Sequence, residues 1–169
     1  MSEEPLFDYE MPDETEFLRV PPHSLQAEQS VLGGLMLDNQ CWDTVADKVS
    51  PEDFYRKDHR LIFESIADLA KKDEPFDVVT ISEVLGQTGE LDSVGGLAYL
   101  GALAKDTPSA ANIVSYAAIV RQRSVRRQLI HIGNEISDSG FDTEGRDINE
   151  LLDQAESKVF KIAEQGAKG

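Results

Sequence analysis

Apolar residues along most of this chain recur at steps of three and four, the period of helices packed on one face. Leu25, Val31, Leu32, Leu35 and Met36 form the first such stripe. Pro21 and Pro22 stiffen the approach to it, and Ser24 is placed to cap the free N–H groups of a first turn. A helix is therefore predicted over 24–37, with Gly33-Gly34 inside it as a point of close helix packing. A short helix is predicted over Trp42–Val49. Ser50-Pro51-Glu52-Asp53 has the cap, first-turn proline and acids of a helix start. The next helix is expected over Asp58–Lys72, with Ile62, Phe63, Ile66, Leu69 and Ala70 inward. Residues 77–86 carry two signals. Val78-Val79-Thr80-Ile81 favours a strand, whereas Ile81, Val84 and Leu85 have helical spacing before Gly86 and Gly89. The helical reading is preferred. A further short helix is predicted over Val94–Ala104, ending near Thr107-Pro108.

The pattern then lengthens. No proline interrupts Ser109 to Ser139, and Gly140 is the expected C-cap. A helix of about 30 residues would span roughly 45 Å. Ile113, Tyr116, Ala117 and Val120 make one stripe; Val125, Leu129, Ile132 and Ile136 continue it on a shifted face. After a polar connector at 141–146, Asp147 and Glu150 resemble a capping box. Ile148, Leu151, Leu152, Ala155, Val159 and Ile162 follow at helical steps. Two long amphipathic helices joined by a short loop make an antiparallel hairpin. The predicted fold is all-α: a small globular helical head at 20–107 and a long helical hairpin at 108–165. Residues 1–19 hold Pro5 and Pro12 and lack a sustained apolar period. They are expected to be a disordered acidic tail. Phe7, Tyr9 and Phe17 offer a short docking motif there, but a loose tail is preferred.

Composition narrows the function. The formal net charge is −16, and residues 1–18 alone carry seven acids with no Lys or Arg. Such a field repels a phosphate backbone on average. No run of 18 apolar residues exists, so no membrane span is expected. The acidic N-terminus lacks a secretory signal pattern. The single Cys41 fits a reducing cytoplasm.

No residue pattern marks catalysis. The chain contains no Gly-Lys dipeptide, hence no phosphate-binding G-x-x-x-x-G-K-[ST] loop, and no G-x-G-x-x-G. Gly95-Gly96 opens a helix but has no basic partner nearby in sequence. His23, His59 and His131 are far apart and lack metal-ligand spacing, so structural or surface roles are expected. An orienting bond from Asp58 to His59 is one option. Cys41 has no activating neighbour in sequence. Arg121, Arg123, Arg126 and Arg127 form one basic cluster but share no single helix face. Pairing with acids of neighbouring elements is preferred to a nucleic-acid contact, because no aromatic is interleaved for stacking. Trp42 and Tyr99 are expected core aromatics; an exposed Tyr99 would instead mark a partner surface.

Literal strings add what periodicity does not. Pro21-Pro22-His23-Ser24-Leu25-Gln26-Ala27-Glu28-Gln29-Ser30-Val31-Leu32-Gly33-Gly34-Leu35-Met36-Leu37-Asp38 resembles the opening of the amino-terminal domain of bacterial replicative DNA helicases, the DnaB family. The likeness recurs in Asp53-Phe54-Tyr55, in His59-Arg60-Leu61-Ile62-Phe63 and in Leu91-Asp92-Ser93-Val94-Gly95-Gly96. It continues through Tyr99-Leu100, Thr107-Pro108-Ser109-Ala110-Ala111-Asn112-Ile113 and Ala155-Glu156-Ser157-Lys158-Val159-Phe160-Lys161-Ile162-Ala163-Glu164. It thus covers about Val20 to Glu164.

The resemblance implies part of an ATP-dependent helicase whose hexameric ring unwinds DNA at the bacterial replication fork, in the cytoplasm. Residues 166–169 would begin a linker to an absent RecA-like ATPase domain. ATP, Mg and most DNA contacts would belong to that domain, and this chain alone would be inactive. The part resembled forms a collar in which hairpins pair subunits into dimers, arranged as a trimer. It also recruits primase and, in some systems, meets a helicase loader. Carried over by position, the primase-responsive region would include Asp77, Tyr99, Ile130, Ile136 and Leu151. The oligomer interface would include Val125, Leu129, Ile132, Ile136 and Val159. Ile136 and Leu151 could equally be hairpin core. The alternative is a free-standing helical adaptor sharing this module; a DNA-binding helix-turn-helix protein is disfavoured by the charge.

Overall fold

The computed structural model describes residues 19–142 and 144–166. Among them are seven α-helices and no strand. They are α1 (Leu25–Leu37), α2 (Trp42–Ala46), α3 (Lys57–Lys71), α4 (Val78–Gln87), α5 (Gly96–Asp106), α6 (Ile113–Phe141) and α7 (Ile148–Gly166). Three 3₁₀ turns lie between them, at Asn39–Cys41, Pro51–Asp53 and Asp92–Val94.

Local chemistry sets several of these boundaries. Ser24 is extended, and its Oγ accepts from the Ala27 N–H at 3.1 Å. The ambiguity at 77–86 resolves as a helix because its start is doubly capped. Asp77 Oδ1 accepts from Thr80 N at 2.9 Å, while Asp77 N donates to Thr80 Oγ1 at 2.8 Å. Asn39 closes the other side of the head. Its side-chain amide donates to Leu35 O and Phe76 O, and its Oδ1 accepts from Phe76 N at 3.0 Å.

Four expectations about element ends need correction. The helix predicted to reach Val49 stops at Ala46; the chain continues as a turn through Asp47 and Lys48 and is extended at Ser50, where the following Pro51 disfavours helix. The helix start at 50–53 is a single 3₁₀ turn with a Ser50–Asp53 capping box. It does not propagate, because the chain turns extended at Phe54, a fully buried side chain. The helix expected from Val94 begins at Gly96, after Gly95 takes a left-handed φ of 96°. Gly140 is not a C-cap. It stays helical within α6, the cap is Asp142, and the left-handed glycine is Gly145 in the connector, at φ 78°.

The head buries one core. Val31, Leu32 and Leu35 of α1 meet Phe54, Ile62, Ile66, Ile81, Leu85 and Leu100, all essentially without exposure. At about 25 cal/mol per Å² of apolar surface, such a cluster is the dominant stabilising contribution. The amino-terminal half of α6 joins it through Ile113, Ala117 and Val120. After Ser124 no described residue of α6 is fully buried, and α7 buries only Ile162. Beyond that point α6 and α7 pack mainly on each other, which makes the hairpin.

Gly33 and Gly34 let α1 approach closely. A Cβ on Gly33 would lie 2.0 Å from Thr107 Oγ1 and 2.4 Å from Leu103 O. One on Gly34 would lie 2.9 Å from Ile113 Cδ1. The pair therefore fixes the seam of α1 with α5 and α6, as its mid-helix position implied.

Candidate functional site

Two buried acids organise the head, and neither stands out in the linear sequence. Glu28 is 1 % exposed. Its Oε2 accepts from Tyr55 N at 2.7 Å, and its Oε1 lies 2.7 Å from His59 Nδ1. His59 Nε2 lies 2.7 Å from the Tyr99 hydroxyl, which also accepts from Gln29 Nε2 at 3.1 Å. This pattern suits a proton on His59 Nδ1 facing Glu28, with the Tyr99 hydroxyl donating to Nε2. A carboxylate, an imidazole and a hydroxyl in a row have the composition of a proton relay. Yet His59 is 0 % exposed, so no substrate reaches it, and a general base needs that reach. The network ties α1, α3 and α5 together. Its orienting acid is Glu28; Asp58 instead accepts from the His59 backbone N–H and pairs with Arg56.

Asp53, 2 % exposed, is the second acid. Its Oδ1 accepts from Arg121 Nη1 at 2.8 Å and from the Ser124 hydroxyl at 2.7 Å. Its Oδ2 accepts from Ser50 N. Arg121 also donates to the Gln165 carbonyl near the end of α7, so one guanidinium joins head and hairpin. Arg127 donates to the carbonyls of Pro22 and Asp53, both at 2.7 Å, and lies over the Tyr55 ring. His23 stacks on that ring at 4.0 Å. Burial pulls the Arg127 guanidinium below its ordinary value, and the carboxylates of Glu28 and Asp53 counteract this. Half of the basic cluster is thus structural: Arg121 pairs with an acid as preferred, whereas Arg127 binds carbonyls. Glu28 and Asp53 were missed from sequence. The available signal for Glu28 was an acid three and four residues before Val31 and Leu32, on their apolar face.

The residues singled out as partner-facing fall in two places. Asp77 is exposed at the start of α4, and Tyr99 is half-buried on α5, with Arg56 5.5 Å from its ring. Helices α4 and α5 pack side by side in the head. Ile130, Ile136 and Leu151 lie on the hairpin; Ile130 is exposed, and the other two are half-buried. Of the interface candidates, Leu129 and Val159 are exposed, and Val125, Ile132 and Ile136 are half-buried. Sequence reasoning gave Phe160 no role and placed Ile148 and Leu152 on the apolar stripe of α7. All three are more than 60 % exposed. With Leu129, Ile130 and Val159 they leave much apolar surface of the hairpin uncovered in the single chain.

Among the described residues no three His, Cys, Asp or Glu side chains are grouped to hold a metal. Burial, then the charge of Asp38, raises the Cys41 thiol above its ordinary value, the reverse of an activated nucleophile. No described helix is long and apolar enough to cross a membrane. What the described residues do present is the exposed apolar surface of the hairpin.

Comparison with known proteins agrees with that arrangement. The sequence model of the DnaB-like helicase N terminal domain matches residues 20–122. The replicative DNA helicase DnaB of Haemophilus influenzae is 47 % identical over 146 residues, which cover 86 % of this chain and 31 % of that protein. The chain thus spans about a third of the length of the curated relatives it matches. The crystal structure of the N-terminal domain of DnaB helicase from Mycobacterium tuberculosis superposes with a TM-score of 0.81 at 37 % identity. It covers 84 % of this chain and 99 % of that one. The N-terminal domain of DnaB helicase from Helicobacter pylori, described together with its interactions with primase, matches with a TM-score of 0.58 at 25 % identity. That match covers 69 % of this chain and 90 % of that one. A helical head, a protruding hairpin and these likenesses lead to one assignment: the chain belongs to the DnaB-like helicase N-terminal domain family.

Proposed function

We propose that this chain is the collar-forming amino-terminal domain of a bacterial replicative DNA helicase and acts by assembly and recruitment rather than catalysis. The observation that carries the reading is the uncovered apolar surface of the hairpin in a member of this family. Exposed Leu129, Ile130, Val159 and Phe160 invite a second hairpin, and closed two-fold pairing is the commonest way to cover such a surface. In this reading 20–107 is the head, 108–165 the hairpin, and 166–169 open a linker toward an ATPase domain. Dimers assemble further into a trimer of dimers on one face of a cytoplasmic hexamer. ATP and Mg²⁺ serve unwinding elsewhere; this chain's residues do not suit them, having no Gly-Lys phosphate loop.

The head is the second contact surface. The Helicobacter relative is described with primase, and a helix-on-helix contact would rest on a few apolar anchors with a polar rim. Asp77 is the cleanest probe, because Asn caps a helix as well as Asp does. Asp77→Asn should keep α4 and weaken binding of the helical carboxy-terminal domain of the cognate primase. Calorimetry on the assembled protein reads this directly. No heat of binding from an assembled wild type would reject the recruitment role and favour a free-standing adaptor. A wild type that sediments as a monomer at high micromolar concentration would reject the collar.

A further inference from the structure

A groove of about 680 Å³ lies where the 51–53 turn meets α6 and α7. Arg127, His131, Lys158 and Lys161 line it, together with Ile132 and Ile162. It is a basic groove in a chain of net charge −16. Its own acid, Asp53, is already saturated by Arg121, Ser124 and the Ser50 N–H, and Glu52 lies beside it. His131 and Lys158 share Glu135, at 2.8 Å and 3.0 Å. Arg127 spends its donors on two carbonyls, and Lys161 has no ion pair among the described residues. Positive charge therefore remains for an anionic occupant.

The chain supplies one. Residues 1–18 carry seven acids, no Lys or Arg, and the aromatics Phe7, Tyr9 and Phe17. The groove also lies where that segment joins the head, because Arg127 holds the Pro22 carbonyl. At about 3.3 Å per extended residue, Asp13, Glu14 and Glu16 are within easy reach of Lys161 and Lys158. Acids for the cations and an aromatic ring for Ile132 and Ile162 match the two characters of the groove. We propose that the groove at the base of the hairpin is a docking site for the acidic segment 1–18 of the same chain. An acidic partner peptide or a nucleic-acid strand then enters only by displacing it.

A nitroxide at Glu10→Cys in a Cys41→Ser background of the full chain tests this by NMR. At low ionic strength the label should erase the amide signals of Lys158, Lys161 and Gln128 and spare those of α4. The effect should vanish in Lys158→Glu/Lys161→Glu, which changes one half-buried and one exposed side chain, provided that circular dichroism shows unchanged helicity, and in Lys161→Glu alone it should weaken. It should also vanish near 1 M salt, where the Debye length is about 3 Å. Intact groove signals at low salt would overturn the proposal. So would erasure that survives both the charge reversal and the salt. Erasure seen only when labelled ¹⁴N protein is mixed with unlabelled ¹⁵N protein would place the segment on a second copy and equally overturn it.

Discussion

Single residues hold this head together through contacts that leave no slack. Gly33 is the clearest case, because any side chain there meets the backbone carbonyl of Leu103 as well as the Thr107 side chain. Gly33→Ala should cost about 1–3 kcal/mol through overpacking and lower the melting temperature by several degrees. An unchanged thermal midpoint would mean that α1 and α5 separate more readily than their packing implies. Glu28→Ala acts by the opposite route. It orphans the Tyr55 N–H and the His59 Nδ1 site, and each unpaired buried donor costs about 1–3 kcal/mol. Tyr99→Phe removes only the hydroxyl at the far end of the same imidazole. Denaturant midpoints of the two variants and of their combination should be non-additive, since both act through His59. Strict additivity would show that the three side chains do not behave as a unit.

Helices were legible in proportion to how local their determinants are. The Ser24 cap and the three-and-four spacing of α3 are both read within a few residues, and the structure agrees. The preference for helix at 77–86 rested on the period of Ile81, Val84 and Leu85 and in part on the family resemblance, and the Asp77–Thr80 box completes it. What sequence did not reveal depends on partners far along the chain. Glu28 meets Tyr55 and His59, and Asp53 meets Arg121 and Ser124, at sequence separations of 27 to 71. Gly140 misled for a related reason: glycine permits a left-handed cap but does not impose one, and the turn is made at Gly145. The hairpin shows the same limit. Leu129 was expected at an interface and is exposed in the single chain, but the period did not reveal that Phe160 would also remain uncovered. Leu129→Asp therefore tests assembly with little cost to the lone chain, because Leu129 is already 51 % exposed. Ultracentrifugation should show weaker association at unchanged circular-dichroism helicity. Lost helicity would mean that the residue supports the fold instead.

Over the whole molecule, charge and shape divide the work. The net charge of −16 repels nucleic acid at a distance, while Arg121, Arg127, Lys158 and Lys161 line one groove at the base of the hairpin. Titration with a labelled single-stranded oligonucleotide at about 0.15 M salt should give no saturable binding, since long-range repulsion persists within a Debye length of about 8 Å. Micromolar affinity that falls steeply with salt would mark the groove as a nucleic-acid site.

The seam around Gly33 also has a temporal side. Helix α1 is made early, ending at Leu37, but much of the surface that covers it belongs to α5, starting at Gly96, and α6, starting at Ile113. At about 5–20 residues per second of synthesis, Val31, Leu32 and Leu35 wait several seconds before their partners leave the ribosome. The seam of α1 is thus among the last parts of the head to be sealed, and until then the nascent chain carries a partly uncovered apolar face. The hairpin, built from neighbours in sequence, needs no such wait.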